Sequence, residues 1–341
     1  MPPASIRRLA AQLGLSAATV SLALRGSTRV IPATRQRVVD AARKAGYRPN
    51  PLIRSVMAAM RRSAQDSYQG LLAALNHSAD PQPQLGTFHR EVWQGAKRRA
   101  RELGYGLDLC WFGPNNLNLA RLNTVIATRN IQGVLVLPIA EAQDLGALDW
   151  SGLAGVMLDY CLVQPALHTV LPDHHVALFT AVERLAARGY RRPGLVLDAA
   201  RDARLRYKWS AAYRSYFRTP RPAARPVPEL LAQPIDRARF LAWFDRHRPD
   251  VIIAHLQQEI ESWLRERGRR VPDDVGFLQL NWTERTGPCA ALDLRPAVLG
   301  SAAIESIVAQ LQRQEQGVPE VPKTITLPAR WVDGPTLRPA A

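Results

Sequence analysis

Cysteine, lysine and methionine are scarce in this chain, with three, four and four copies among 341 residues. Cys110, Cys161 and Cys289 are odd in number and widely separated, which argues against a disulfide scaffold or a zinc site and leaves buried, reduced thiols as the expectation. No apolar run approaches the ~20 residues that span a bilayer. Met1-Pro2-Pro3-Ala4 leads straight into a charged helical pattern without an apolar signal core, so a cytoplasmic protein without membrane contact is expected. Nucleotide-binding motifs are missing too: no G-x-G-x-x-G or G-x-x-x-x-G-K-S/T follows the first strand, and Gly104-Tyr105-Gly106 comes between a helix and a strand, the wrong place for a phosphate cradle. His168, His174 and His175 have no partnered cysteine or second carboxylate cluster and read as surface histidines in the connection between lobes. These absences argue against an enzyme, a metal site or a bound cofactor.

Acidic residues are nearly missing from one region. Residues 1–63 hold twelve Lys or Arg and a single acid, Asp40, so they carry +11 of the net +16, while the other 278 residues carry +5. The basicity is a domain property, and it points to a polyanionic partner. A length of 341 residues with 47% hydrophobic content suggests two or three domains, each with its own core.

The basic region reads as three short helices. Ser5 precedes Ile6, Leu9, Ala10 and Leu13, whose spacing marks one helical face, and Gly14 closes that helix. Ser16 then caps a helix over Ala17 to Leu24 with Val20 and Leu24 on one face, ended by Gly26. Pro32 opens a third helix to about Ala45, with Val38, Ala41 and Ala42 inward. After Tyr47-Arg48-Pro49-Asn50, Pro51 can open a further helix to about Arg62, followed by a polar hinge. The expected boundaries are a headpiece over 1–49, a hinge helix over 50–63 and a body over 64–341.

From Gly70 the rhythm changes. Apolar runs at 70–76, 106–112, 133–138 and 155–159 alternate with helical patterns at 87–103, 117–129 and near 141–148. The alternation then restarts: helix 174–188, strand 193–198, helix 203–218, a strand near 227–232, helix 236–247, strand 250–255, helix 256–267 and strand 275–280. Two doubly wound parallel α/β lobes with a cleft between them are expected. A helix over 297–316 and a strand over 323–329 close the pattern, and whether they cross back between lobes stays open.

Two helices around the tight Gly14-Leu15-Ser16 turn present the start of the second helix outward, as in a helix-turn-helix that docks in the major groove. Ser16, Thr19 and Ser21 would supply hydroxyls, and Arg7, Arg25, Arg29 and Arg35 cations, for phosphate contacts. On the helices alone an ordinary helical hairpin with a solvated basic face remains open. Residues 5–62 closely resemble the headpiece of the lactose/galactose repressor family: the matching positions are Ser5, Leu9-Ala10, Gly14-Leu15-Ser16, Thr19-Val20-Ser21, Thr34-Arg35 and Gly46-Tyr47-Arg48-Pro49-Asn50. The resemblance implies a homodimeric transcription regulator, a repressor by analogy, on a palindromic double-stranded operator. It implies base contacts from Ala17, Ala18 and Leu22, and backbone contacts from Ser16, Thr19, Ser21, Thr34, Tyr47 and Asn50, with Ser5, Ile6 and Arg7 at the same interface. Leu22 stands where family members often have Arg or His, and Ala17 and Ala18 where they often have polar residues, which leaves thymine-methyl contacts, other side chains or DNA shape to carry specificity.

In the hinge, Ile53, Val56, Met57 and Met60 share one face. By resemblance Val56, with Met57 beside it, occupies the position that wedges into a central base step and kinks the duplex.

Over residues 70–335 the resemblance continues more weakly, to the family's periplasmic-binding-protein-like body that clamps a small-molecule effector, most often a sugar or sugar derivative. The family's usual ligand residues are replaced here, by Trp209 within Trp209-Ser210-Ala211-Ala212-Tyr213, by His255-Leu256 and by Leu280-Asn281-Trp282, whereas Asp159 matches a family acid. Open α/β lobes bind ligands outside the carboxyl ends of their strands, so Asn76, Trp111, Asp159, Trp209, His255, Asn281 and Trp282 are the effector candidates. A non-sugar effector, or a cleft that no longer binds one, remains the alternative.

Overall fold

A computed structural model of the chain describes residues 6–24, 30–44, 68–139, 141–218, 225–283 and 287–339. The expectations that fall on Ser5, Arg25, Arg29, Tyr47, Asn50, Ile53, Val56 and Met57 lie outside the described residues, as does the hinge helix.

In the headpiece, α1 spans Ile6–Leu13, α2 Ala17–Leu24 and α3 Pro32–Lys44. Gly14 takes φ +65° between the first two, a left-handed conformation that glycine adopts without a Cβ penalty. Leu9, Ala10, Val20, Ala23, Val30, Val38 and Ala42 are buried together as one small core. Val20, one of the two inward positions that the sequence pointed to, is buried, as is Ala23, and the side chain of Leu24 lies outside the described residues. Leu22, expected outside, packs half-buried against this core.

Two lobes follow. In the first, β1 (Gly70–His77), β2 (Tyr105–Phe112), β3 (Ile131–Val136), β5 (Ala154–Leu158) and β7 (His168–Pro172) form a parallel sheet with β13 (Thr324–Leu327), in the order β13-β7-β5-β3-β1-β2. Side chains alternate across it. Leu72, Ala74 and Leu135 pack under α4 (Thr87–Glu102) and α11 (Pro296–Arg313), while Ala73, Leu75, Val134 and Val136 face α5 (Leu119–Thr128). Period-two burial on both faces is why these strands read as continuous apolar runs.

The second lobe repeats the plan. Its sheet holds β8 (Pro193–Asp198), β9 (Leu230–Ala232), β10 (Val251–Ala254), β11 (Gly276–Gln279), β12 (Ala290–Asp293) and β14 (Arg330–Val332), in the order β14-β12-β11-β10-β8-β9, with only β14 antiparallel. Val251 and Ile253 face α6 (His174–Ala187) and α8 (Lys208–Tyr216), and Ile252 and Ala254 face α9 (Arg237–His247) and α10 (Gln257–Glu266).

The chain crosses between lobes from β7 to α6, from β12 to α11 and from β13 to β14. The closing helix thus returns to the first lobe, and the final strands join one sheet each. Three expectations are corrected. Residues 141–148 are not helical: β4 (Gln143–Asp144) pairs with β6 (Leu162–Gln164), and Asp144 Oδ1 accepts the Gly146 N–H at 2.8 Å to make a turn. The helix expected over 203–218 is broken into α7 (Ala199–Arg204) and α8, because Arg206 and Tyr207 both take positive φ. His168 and His174 are buried rather than surface residues, since β7, which the sequence reading omitted, carries one into the sheet and delivers the other to the cleft.

Candidate functional site

Two regions merit a site description. In the headpiece the Ser16 side chain caps α2, its Oγ accepting the Thr19 N–H at 3.0 Å, and it shares a second hydrogen bond of 2.8 Å with Thr19 Oγ1. One of the orphan N–H groups at the start of the second helix is thereby satisfied, and both hydroxyls stay on the side-chain surface around the turn. Thr34 is half-buried on α3. Arg35, read as a phosphate contact, donates from Nη2 to Val30 O at 3.2 Å, so it braces the loop before α3. The side chains of Ile6, Arg7, Ala17, Ala18 and Ser21 lie outside the described residues.

The second region is the cleft, at the carboxyl ends of β5, β8 and β10. Asp159 follows β5 with φ +57°, held by its N–H donating to Val170 O at 3.1 Å. A non-glycine residue in this region is disfavoured, and such positions cluster at ligand clamps and switch regions. Asp159 belongs to the first lobe, and the second lobe grips it. His174 Nε2 lies 3.4 Å from Asp159 Oδ1, and Arg204 Nη1 lies 3.8 Å from Asp159 Oδ2. Tyr160 is gripped likewise: the Arg206 guanidinium stacks 4.1 Å from its ring centroid and Lys208 Nζ lies 5.9 Å away.

Local capping places these groups. Asp173 Oδ1 accepts the Val176 N–H and starts α6, which sets His174 at its first position. Asp198 Oδ1 accepts the Arg201 N–H and starts α7 at the end of β8, which carries Arg201 and Arg204 to the cleft. Trp209 fills the centre, fully buried, its rings 4.6 Å from His174 and 6.4 Å from His255 between centroids.

His174 Nδ1, Arg204 Nη1, Trp209 Nε1, His255 Nε2, Gln279 Oε1 and Asn281 Oδ1 are all buried and make no hydrogen bond among the described residues. Orphaned buried donors and acceptors cost about 1–3 kcal/mol each, so their clustering at one cleft marks a place built to meet another molecule. Burial, aided by the charges of Arg201 and His174, holds the His255 imidazole well below its ordinary pKa. Burial also lowers the pKa of His89, whose Nε2 lies 2.7 Å from Pro138 O at the first lobe's side of the cleft. Arg201 keeps solvent access, yet desolvation and the neighbouring Arg204 charge depress its pKa.

Of the effector candidates, Asp159, Trp209 and His255 are therefore brought together. Asn281 lies past the end of β11, and its backbone oxygen and that of His255 both receive Gln279 Nε2. Trp282 donates its N–H to Leu292 O and is half-buried. Asn76 and Trp111 are register partners at the ends of β1 and β2, with β1 two strands from β5 in the sheet. Tyr213, the aromatic of the Trp209–Tyr213 stretch, belongs to the core, its hydroxyl bonded to Pro193 O and Val227 O. His174, Arg201, Arg204 and His89 were missed. The signal available for His174 was its place behind Asp173, a capping residue directly after a strand.

Among the described residues no group of three or more His, Cys, Asp or Glu could hold a metal ion, and no helix is long and apolar enough to cross a membrane. All three cysteines are free and buried.

Residues 5–50 match the bacterial regulatory proteins of the lacI family, and residues 182–337 match the periplasmic binding protein-like domain. The chain thus carries a lacI-type DNA-binding domain and a periplasmic binding protein-like domain. Among curated lacI-type relatives, the HTH-type transcriptional repressor CytR of Escherichia coli (strain K12) is 29% identical over 194 residues, covering 57% of this chain and 53% of CytR. The match thus spans about half the length of that relative. Two solved structures share the fold. A transcriptional regulator CelR–cellobiose complex superposes with a TM-score of 0.60 at 20% identity, over 98% of this chain and 99% of that one. The lac repressor dimer bound to operator and the anti-inducer ONPF superposes with a TM-score of 0.56 at 16% identity, over 98% and 99%.

Proposed function

We propose that this chain is a transcription regulator, a repressor by analogy with CytR, which binds a palindromic operator as a homodimer. The reading rests on one conjunction: a capped helix-turn-helix in a segment carrying +11 of the net charge, joined to two lobes whose strand ends meet in unpartnered polar atoms. Ser16, Thr19, Thr34 and the arginines of residues 1–63 would meet phosphates, and Leu22 with its neighbours the base edges. The cleft would take a small-molecule effector that changes how the lobes sit and so how the two headpieces are presented. CelR is seen with cellobiose, and another relative is named as a sucrose operon repressor, which favours a sugar or sugar derivative here. Regulation, rather than catalysis, is the role proposed.

The test is selection of bound duplexes from a random DNA library by the full chain, followed by titration over a range of salt. A two-fold symmetric site with a steep salt dependence is expected, and Arg25→Ala or Arg29→Ala should lower the slope by about one unit each. Enrichment of no sequence at any salt overturns the reading.

A further inference from the structure

Outside the headpiece the positive charge gathers at one place, which the hydrogen bonds locate. The parallel strands of the second lobe point their carboxyl ends at the cleft, so the residues just before β8 and β10 lie at the opposite pole of that lobe. Arg191 and Arg192 stand directly before β8, and Arg246 and Arg248 stand at the end of α9, just before β10. Arg192 ties these two segments together, donating from Nε to Arg248 O at 3.2 Å and from Nη2 to His247 O at 2.5 Å. A third segment joins them through the Arg225 N–H, which donates to Arg191 O at 2.8 Å. Each of the three brings arginine to the same surface.

Carboxylates do not balance it. Asp250 lies among these residues, but its two oxygens accept the backbone N–H groups of Arg191 and Arg192 at 2.6 and 2.8 Å. Asp245, on the last turn of α9, is paired with Arg267 at 2.9 Å. Arg191, Arg192, Arg225, Arg246 and Arg248 form no ion pair among the described residues, and all but Arg192 are exposed. The whole of residues 64–341 carries only +5, so an excess of this size in one patch is a local feature rather than an average of the composition.

The chemistry of the patch selects the partner. Protein interfaces are anchored by aromatic and apolar side chains at their centre, and none of the large exposed hydrophobic residues belongs to these three segments. A DNA backbone asks only for cations, and guanidiniums, which keep their charge, meet phosphates with paired donors. The chain enters the body from the headpiece at the amino end of β1, in the first lobe, so this pole is at the far end of the body from that entry. A duplex held there is a different stretch of DNA from the one under the headpiece, brought near at raised local concentration once the headpiece is bound.

We propose that the arginine pole of the second lobe is a sequence-independent contact for a second DNA segment, so that a chain seated on its operator bridges to other duplex. The proposal rests on the operator-binding reading above.

The experiment immobilises a duplex selected by the full chain, adds the full chain, and measures retention of a fluorescent duplex of unrelated sequence at about 50 mM salt and above. Wild type should retain the second duplex, and the combined variant Arg191→Gln, Arg225→Gln, Arg248→Gln should lower that retention about tenfold while binding the first duplex as before. Its salt slope for the second duplex should fall by about three units, one for each lost phosphate contact. These side chains are exposed, so the variant should melt like wild type, and the matching triple lysine variant, which keeps the charge, should still bridge. Retention equal in wild type and the glutamine variant assigns bridging to the headpieces or to assembly of the chain and overturns the proposal. Loss in the lysine variant as complete as in the glutamine one overturns it too, since charge would then not be the cause. Tighter capture of polyglutamate than of duplex, abolished by the same substitutions, overturns it in favour of an acidic protein partner. A wild type that holds the first duplex but never the second overturns the proposal and leaves the operator reading standing, whereas a chain that holds neither overturns both.

Discussion

His174 Nε2 lies 3.4 Å from Asp159 Oδ1, and the contact joins the first residue of a second-lobe helix to a left-handed residue at the end of a first-lobe strand. Asp159 also faces Arg204, so one carboxylate carries two inter-lobe contacts in a buried setting. In so dry a place the value of the pair lies less in attraction than in the penalty of separating it.

Asp159→Asn should therefore destabilise the body. Loss of one partner from a fully buried pair costs about 3–5 kcal/mol, and about 2 kcal/mol is expected here because Arg204 lies 3.8 Å away and keeps some solvent. Chemical unfolding of the full chain measures this. Unchanged stability would mean that the contact is incidental.

The α/β rhythm was legible because both faces of each sheet are apolar, so strands such as Leu72–Leu75 and Val251–Ala254 stand out as unbroken runs. Among the strands that escaped, His168–Pro172 and Ala290–Asp293 are short, and each has a polar residue at one end. The site was hidden for another reason. His174 and Arg204 gain their meaning from Asp159, fifteen or more residues away and on the other lobe, and no local pattern encodes a contact of that kind. Asp159 and His255 were legible because each directly follows an apolar strand.

Gly95 and Gly300 set the closest approach of α4 and α11, for a Cβ on Gly95 would strike the Ala297 backbone and one on Gly300 the Val92 carbonyl. Neither obstacle can rotate away. Gly95→Ala should cost about 1–3 kcal/mol by forcing the helices apart, despite alanine's better helix propensity. A stabilised variant in thermal unfolding would show that the crossing is loose.

In the headpiece, Ser16→Ala removes the cap on the Thr19 N–H and should destabilise the three-helix unit by about 1 kcal/mol. Leu22→Arg should destabilise it as well, since the leucine packs on the core rather than standing clear. Amide hydrogen exchange confined to residues 6–44 distinguishes these effects from changes in the body. Protection equal to wild type in Leu22→Arg would return that residue to the surface.

His255 makes stability depend on pH, and the sign follows from its lowered pKa, caused first by burial and then by the Arg201 and His174 charges. Above about pH 6.5, the ordinary value, the imidazole is neutral in both folded and unfolded chains and contributes nothing to the balance. Below it the unfolded chain takes up a proton that the folded chain refuses, so stability falls with pH until the depressed folded pKa is reached. Each such histidine contributes a slope of about 1.4 kcal/mol per pH unit across that window. His89 and His168, also lowered by burial, add in the same direction. His255→Asn keeps a neutral polar group and removes one proton from the linkage. Unfolding free energies measured between pH 5 and 7 should therefore fall less steeply with acid in the variant than in wild type, by about one proton's worth. Parallel pH profiles would show that His255 protonates freely in the folded protein, and with it that the cleft admits water to the imidazole.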